Sequence, residues 1–158
     1  MVMGLYESFL YSFLATIAFA ALFQAPRRTL ITSGIIGAIG WVVFVYLRQH
    51  LEYNSFHANF IATVVLSVVS ELSARMFKQP ATVYLIPGII PLVPGLGMYR
   101  GMKEIIEKSY GNGVNTLLTA GTDAAAIALG IMFVASIFRV IKMSANKKFL
   151  SCFWFPWG

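Results

Sequence analysis

Pro87-Gly88-Ile89-Ile90-Pro91-Leu92-Val93-Pro94-Gly95-Leu96-Gly97-Met98-Tyr99-Arg100 sets three prolines and three glycines into an otherwise apolar run. A proline has no backbone N–H, and its ring collides with the carbonyl four residues earlier. Pro87, Pro91 and Pro94 therefore disturb the carbonyls of Val83, Pro87 and Ile90. They also bias Ile86, Ile90 and Val93 away from helical geometry. One proline kinks a helix. Three so close together, with Gly88 and Gly95 beside them, are expected to open it.

What surrounds this stretch decides where the opening lies. Of 158 residues, 58% are hydrophobic and 11% charged, and the mean hydropathy is +0.75. A soluble domain carries roughly 25% charged residues, so water is not the main solvent of this chain. A bilayer core of about 30 Å takes about 20 apolar residues per helix. The apolar runs at 5–23, 30–47, 58–74, 81–99 and 114–138 then read as five spanning helices of an all-α bundle. They leave no room for a soluble catalytic domain. We divide the chain into one transmembrane domain, 1–140, and a tail, 141–158, basic first and aromatic after. The first run contains Ala18-Phe19-Ala20, a faint cleavage-site pattern, but has Glu7 and no Lys or Arg before it, so it reads as a retained span.

The net charge of +6 does not point to nucleic acid, because the basic residues flank apolar runs and form no stripe. With the C-terminus cytoplasmic, the inner side holds Arg27, Arg28, Arg75, Lys78, Arg139, Lys142, Lys147 and Lys148. The outer side holds Arg48, Arg100, Lys103 and Lys108. This asymmetry favours an N-terminus outside and a C-terminus inside the cell's inner membrane. The tail FLSCFWFPWG at 149–158 is expected along the headgroups or against a partner. Cys152 is the single cysteine, which excludes an internal disulfide and a cysteine metal cluster. His50 and His57 flank a loop and read as solvated.

Open backbone facing lipid costs several kcal/mol per bare peptide group. The 87–95 segment must therefore be enclosed by protein or line a wet cavity. Transporters place substrate sites at such breaks, where free carbonyls face cations and a half-helix N-terminus faces an anion. Pro94 is placed as the first residue of a new helix that would aim the N–H groups of Gly95, Leu96 and Gly97 at an anion. The plainer reading is a kinked helix packed through its glycines.

The segment resembles the signature of the threonine/serine exporter family, in which an Ile-Pro-x-Ile-Ile-Pro-Leu-Val-Pro-Gly stretch leads into a Tyr. Leu22-Phe23-Gln24-Ala25-Pro26-Arg27-Arg28-Thr29-Leu30 is similar to the first loop of that family's small, split subunits. The resemblance covers about residues 5–140, and Pro26, Arg27, Pro87, Pro91, Pro94, Gly95 and Tyr99 are the matching positions. It implies export of a small amino acid or a dicarboxylate such as succinate, with a larger membrane subunit as partner. No cofactor is implied.

Two carboxylates fall inside the apolar runs. Glu71 shares a small polar face with Ser67, Ser70 and Ala74. It reads either as the partner of Arg75 at the membrane edge or as a proton or ammonium site. Asp123 lies among alanines, with Thr116 and Thr119 on its face and no charged neighbour in its own helix. Its partner must come from another helix, a second subunit, a proton or the cargo. The candidate substrate site thus comprises Glu71, Pro87, Gly88, Pro91, Pro94, Gly95, Tyr99 and Asp123. Gly34, Gly37 and Gly40, and likewise Ala120, Ala124 and Ala128, read as helix-packing positions.

No His-Glu-x-x-His or Gly-x-Ser-x-Gly motif is present, and an embedded enzyme is the weakest reading. The competing readings are half of an exporter and a scaffold subunit that stabilises a larger protein. Without an internal repeat, the missing half must come from another polypeptide or a second copy of this chain.

Overall fold

The computed structural model describes the backbone of residues 5–153 and the side chains of residues 5–141. Six α-helices and one 3-10 turn make up these residues: α1 (Leu5–Leu22), α2 (Leu30–His50), α3 (Ser55–Phe77), α4 (Thr82–Ile89), the turn Ile90–Leu92, α5 (Gly95–Ile106) and α6 (Tyr110–Phe153). Helices α1, α2, α3 and the Tyr110–Ile141 part of α6 are each long and apolar enough to cross a bilayer. The segment from Thr82 to Ile106 passes the same test as a pair bent by 42°. The expected reading of 149–158 as an interfacial tail lies outside the described side chains.

The direction of α6 settles whether the bent pair crosses or re-enters. Ser55, at the start of α3, contacts Asp123. Thr63 and Phe60 lie against Gly130, and Arg75, near the end of α3, lies over Phe138. Both helices therefore run the same way, and the segment between them must return from one face to the other. Residues 82–106 at 1.5 Å each reach about 37 Å, enough for a hydrocarbon core of about 30 Å. With the bent pair counted as one span, the chain makes five crossings.

Helices approach one another through glycine. A Cβ on Gly34 or Gly37 would strike Phe13, Thr16 and Ile17 of α1, and one on Gly40 would strike Leu66 of α3. Leu66 also reaches Gly88 of α4. In lipid no hydrophobic force draws helices together, so such close backbone approach is what binds them. Ile36, Ala62, Leu66, Ala74, Tyr84, Leu92 and Ile127 form the buried apolar cluster at the centre, drawn from α2, α3, α4, the 3-10 turn and α6. The alanine expectation holds at one end only: Ala120 is buried beside Gly97, whereas Ala128 is exposed.

Two expectations about boundaries are corrected. The fourth run, expected to end at 99, continues as α5 to Ile106, and the fifth, expected from 114, begins as α6 at Tyr110. Lys103 and Glu107 pair across one turn at 3.7 Å, and Gly101 and Gly113 let the two helices close on each other. The last helix also continues well past 138, to Phe153. Four helices end with no glycine available at the turn. Gln24, Glu52, Lys78 and Lys108 each adopt the left-handed conformation, with φ of 56°, 51°, 53° and 64°. After α1, α3 and α5 the chain closes with a bond back to the last turn: Ala25 N–H to Ala20 O, Gln79 N–H to Ala74 O, and Ser109 N–H to Glu104 O.

Candidate functional site

The break is narrower than the proline pattern suggests. Pro87 is accommodated inside α4. The carbonyl its ring frees, that of Val83, accepts the hydroxyl of Ser33 from α2 at 3.4 Å. Pro91 opens the 3-10 turn, and the Val93 N–H is shared between the carbonyls of Ile89 and Ile90, both at 3.2 Å. The chain departs from helix only at Val93, which is extended (φ −61°, ψ 128°), and at Pro94 (φ −77°, ψ 48°). Pro94 is the centre of an inverse γ-turn, with the Gly95 N–H bonded to the Val93 carbonyl at 2.7 Å.

Pro94 therefore caps α5 rather than beginning it, which corrects the expected register by one residue. Its carbonyl accepts the Met98 N–H at 3.1 Å. Gly95 spends its N–H on the turn and does not add to an anion site. Among the described residues the Leu96 and Gly97 N–H groups have no backbone acceptor, and they form the positive end of α5. Gly95 is exposed, with nothing within 4 Å of a Cβ built on it.

Asp123 sits level with this break. α5 runs back along α6, with Gly101 against Leu117 and Gly97 against Ala120. One further turn in each helix brings Pro94 and Asp123 to the same height. The carboxylate is 8% exposed. The expectation that its partner comes from another helix is met by Ser55, whose hydroxyl donates to Oδ2 at 2.8 Å. Ser55 is the first residue of α3, so the positive end of that helix also faces the charge. Oδ1 has no partner among the described residues. The three-residue polar face expected on α6 separates: Thr116 donates to Glu104 at 2.8 Å, and Thr119 is exposed and bonds back to Asn115 O at 2.9 Å.

Glu71 lies elsewhere. Along α3 it is 16 positions beyond Ser55, about 24 Å away. It borders a cavity of about 830 Å³ between the end of α3 and the second half of α6, together with Arg75, Gln79, Ser136 and Arg139. The expected Glu71–Arg75 pair is not formed. The Arg75 guanidinium lies 4.7 Å over the Phe138 ring instead, and among the described residues Lys103–Glu107 is the one ion pair. Stacking on an aromatic face is an arrangement that a planar guanidinium favours when the carboxylate does not reach it. Of the sequence-derived site residues, Pro94, Gly95 and Asp123 share one level of the bundle. Pro87 and Gly88 are buried a turn or two away, and Tyr99 is exposed on α5.

Sequence reasoning did not single out Asn59 and Thr63 of α3 or Tyr84 of α4. With Ser67 and Ser70, all are buried, and each has a side-chain oxygen without a partner among the described residues. Leaving such a group unpaired costs about 1–3 kcal/mol. The available signal was a polar residue every fourth position, 55, 59, 63 and 67, in an otherwise apolar helix.

The family model for Threonine/Serine exporter, ThrE, matches residues 8–137, which takes in all five crossings and both sides of the break. Among curated proteins, the chain is 28% identical over 125 residues to a threonine/serine exporter of Corynebacterium glutamicum, covering 79% of this chain and 25% of that protein. It is 26% identical over 138 residues to an uncharacterized protein of Haemophilus influenzae, covering 78% of this chain and 46% of the other. The chain thus spans between a quarter and a half of the length of these relatives. No solved structure matches. The proline-broken crossing lies within the matched region, and this multi-pass membrane chain belongs to the threonine/serine exporter family.

Proposed function

We propose that the chain is one membrane part of an exporter that moves a small amino acid, threonine or serine, or a dicarboxylate such as succinate, out across the inner membrane. In this reading it works with a larger membrane partner, as the resemblance of its first loop to the family's small, split subunits implies. A second copy of this chain is the alternative companion. The C-terminus faces the cytoplasm, in keeping with eight Lys and Arg against four on the two sides.

One juxtaposition carries the reading: α5, packed along α6 with Gly101 against Leu117 and Gly97 against Ala120, leads the break at Val93–Pro94 toward Asp123, a buried carboxylate with an unpartnered oxygen. The free N–H groups of Leu96 and Gly97 suit a carboxylate, and Asp123 suits an ammonium. The two signs together fit a zwitterion better than a dicarboxylate, whose second charge would face Asp123.

Efflux of threonine, serine and succinate from cells expressing this chain with its partner tests the reading. Asp123→Asn keeps the shape and removes the charge. It should lower amino-acid efflux at least about tenfold, as expected for a lost charge-assisted contact, with the protein still inserted. The Pro91→Ala, Pro94→Ala double variant should also impair efflux while insertion survives. Full efflux from both variants would remove the proposal and leave the scaffold reading.

A further inference from the structure

Several hydroxyls of α1 and α6 find acceptors on their own backbone, although Ser8 of α1 has no partner among the described residues. On α1, Ser12 bonds to Ser8 O at 2.8 Å and Thr16 to Ser12 O at 2.7 Å. On α6, Thr119, Thr122 and Ser136 bond to carbonyls three or four residues back. Thr63, Ser67 and Ser70 of α3 make no such bond. With Asn59 they follow spacings of four, four and three, one strip along the helix. All four are buried, at 2%, 0%, 3% and 0% exposure. The strip starts one turn from Ser55 and its bond to Asp123 and ends beside Glu71 and the cavity. Across from Thr63 stands Gly130, where a Cβ would lie 3.1 Å from the threonine Cβ.

We propose that this strip is a hydrated seam: a file of water bonded to Asn59, Thr63, Ser67 and Ser70 that joins the Asp123 carboxylate to the Glu71 cavity. Water needs two to four polar partners to be held inside a protein, and a line of oxygens one helical turn apart supplies them in succession. A helix in lipid has no outside water to satisfy such groups. The seam gives this half of the bundle a continuous polar track over about 24 Å, parallel to the crossing direction. The track extends beyond the broken segment and does not depend on which solute is exported.

The test reads hydration, not efflux. Full-length chain carrying Cys152→Ser receives single cysteines: Asn59→Cys, Thr63→Cys, Ser67→Cys and Ser70→Cys. Ser109→Cys, exposed in the turn between α5 and α6, is the wet control, and Ala38→Cys, fully buried in α2, is the dry one. A small thiol reagent attacks only the thiolate, which forms where water solvates it. In membrane vesicles the four seam positions should react within about tenfold of the wet control and at least about a hundredfold faster than the dry one. Rates equal to that of Ala38→Cys overturn the proposal. Should a cysteine variant fail to insert, water-to-amide magnetisation transfer in the unsubstituted chain decides for that position. Fast transfer at residues 59, 63, 67 and 70 relative to Thr16 supports the seam, and equal transfer removes it. Loss of efflux in Asp123→Asn leaves these readings unchanged, so the two proposals fail separately.

Discussion

Helices α1 and α3 are composed alike: apolar runs with Ser and Thr every third or fourth residue, buried against a neighbour. They solve the same problem in opposite ways. On α1 the hydroxyls of Ser12 and Thr16 turn back onto their own carbonyls, and Ser8 is its one buried hydroxyl without a partner among the described residues. Gly34 and Gly37 of α2 come into contact with α1. On α3 the oxygens of Asn59, Thr63, Ser67 and Ser70 have no protein partner among the described residues. A small polar residue in a spanning helix is thus a spacer when its hydroxyl is satisfied locally, and an open bonding position when it is not. Composition does not separate the two uses; the acceptor does.

That contrast is open to measurement by thermal unfolding of the detergent-solubilised protein. Gly37→Leu should lose about 3 kcal/mol, because its side chain would drive into Thr16 and force α1 away. A loss under about 1 kcal/mol would show that the α1–α2 contact is loose. Ser55→Ala comes next, at about 2 kcal/mol, since it strips a charged acceptor of its donor at the head of α3. Thr16→Val should cost about 1 kcal/mol, whereas Thr63→Val should cost less than that, having no protein hydrogen bond to lose. Equal losses at both positions would erase the distinction between the helices. The smallest effect is one the two helices share. Gln24→Gly after α1 and Lys78→Gly after α3 should each gain about 0.5 kcal/mol, relief of the left-handed backbone being partly offset by a freer unfolded chain.

Much of the architecture was legible from the chain because lipid leaves few options. A long apolar run must be helical, and prolines 87, 91 and 94 had to disturb the fourth crossing. The exact place of the disturbance was not legible, since it depends on who repairs each freed carbonyl. Ser33 repairs the one behind Pro87 from another helix, so only Val93–Pro94 stays open. The helix across 100–106 lies outside the apolar runs because of its charges, and it is the approach at Gly101 and Gly113 that locks α5 onto α6. Asp123 announced itself as a lone charge among alanines. Its donor, Ser55, stands 68 residues away, and no local pattern links them. Arg75 looked like the natural partner of Glu71 four positions earlier, yet Phe138 competes for its guanidinium from a helix that sequence spacing does not bring near.

Because α3 and α6 point the same way, counting the bent pair as one span makes the number of passages through the bilayer odd and sets the two ends of the described backbone on opposite faces. A second unit of this kind joined to the last helix would be threaded upside down. The pair would then be related by a half-turn about an axis lying flat in the membrane. Under that symmetry, a bend that points its free N–H groups toward one face would be matched by one pointing toward the other, as two facing jaws of a single clamp.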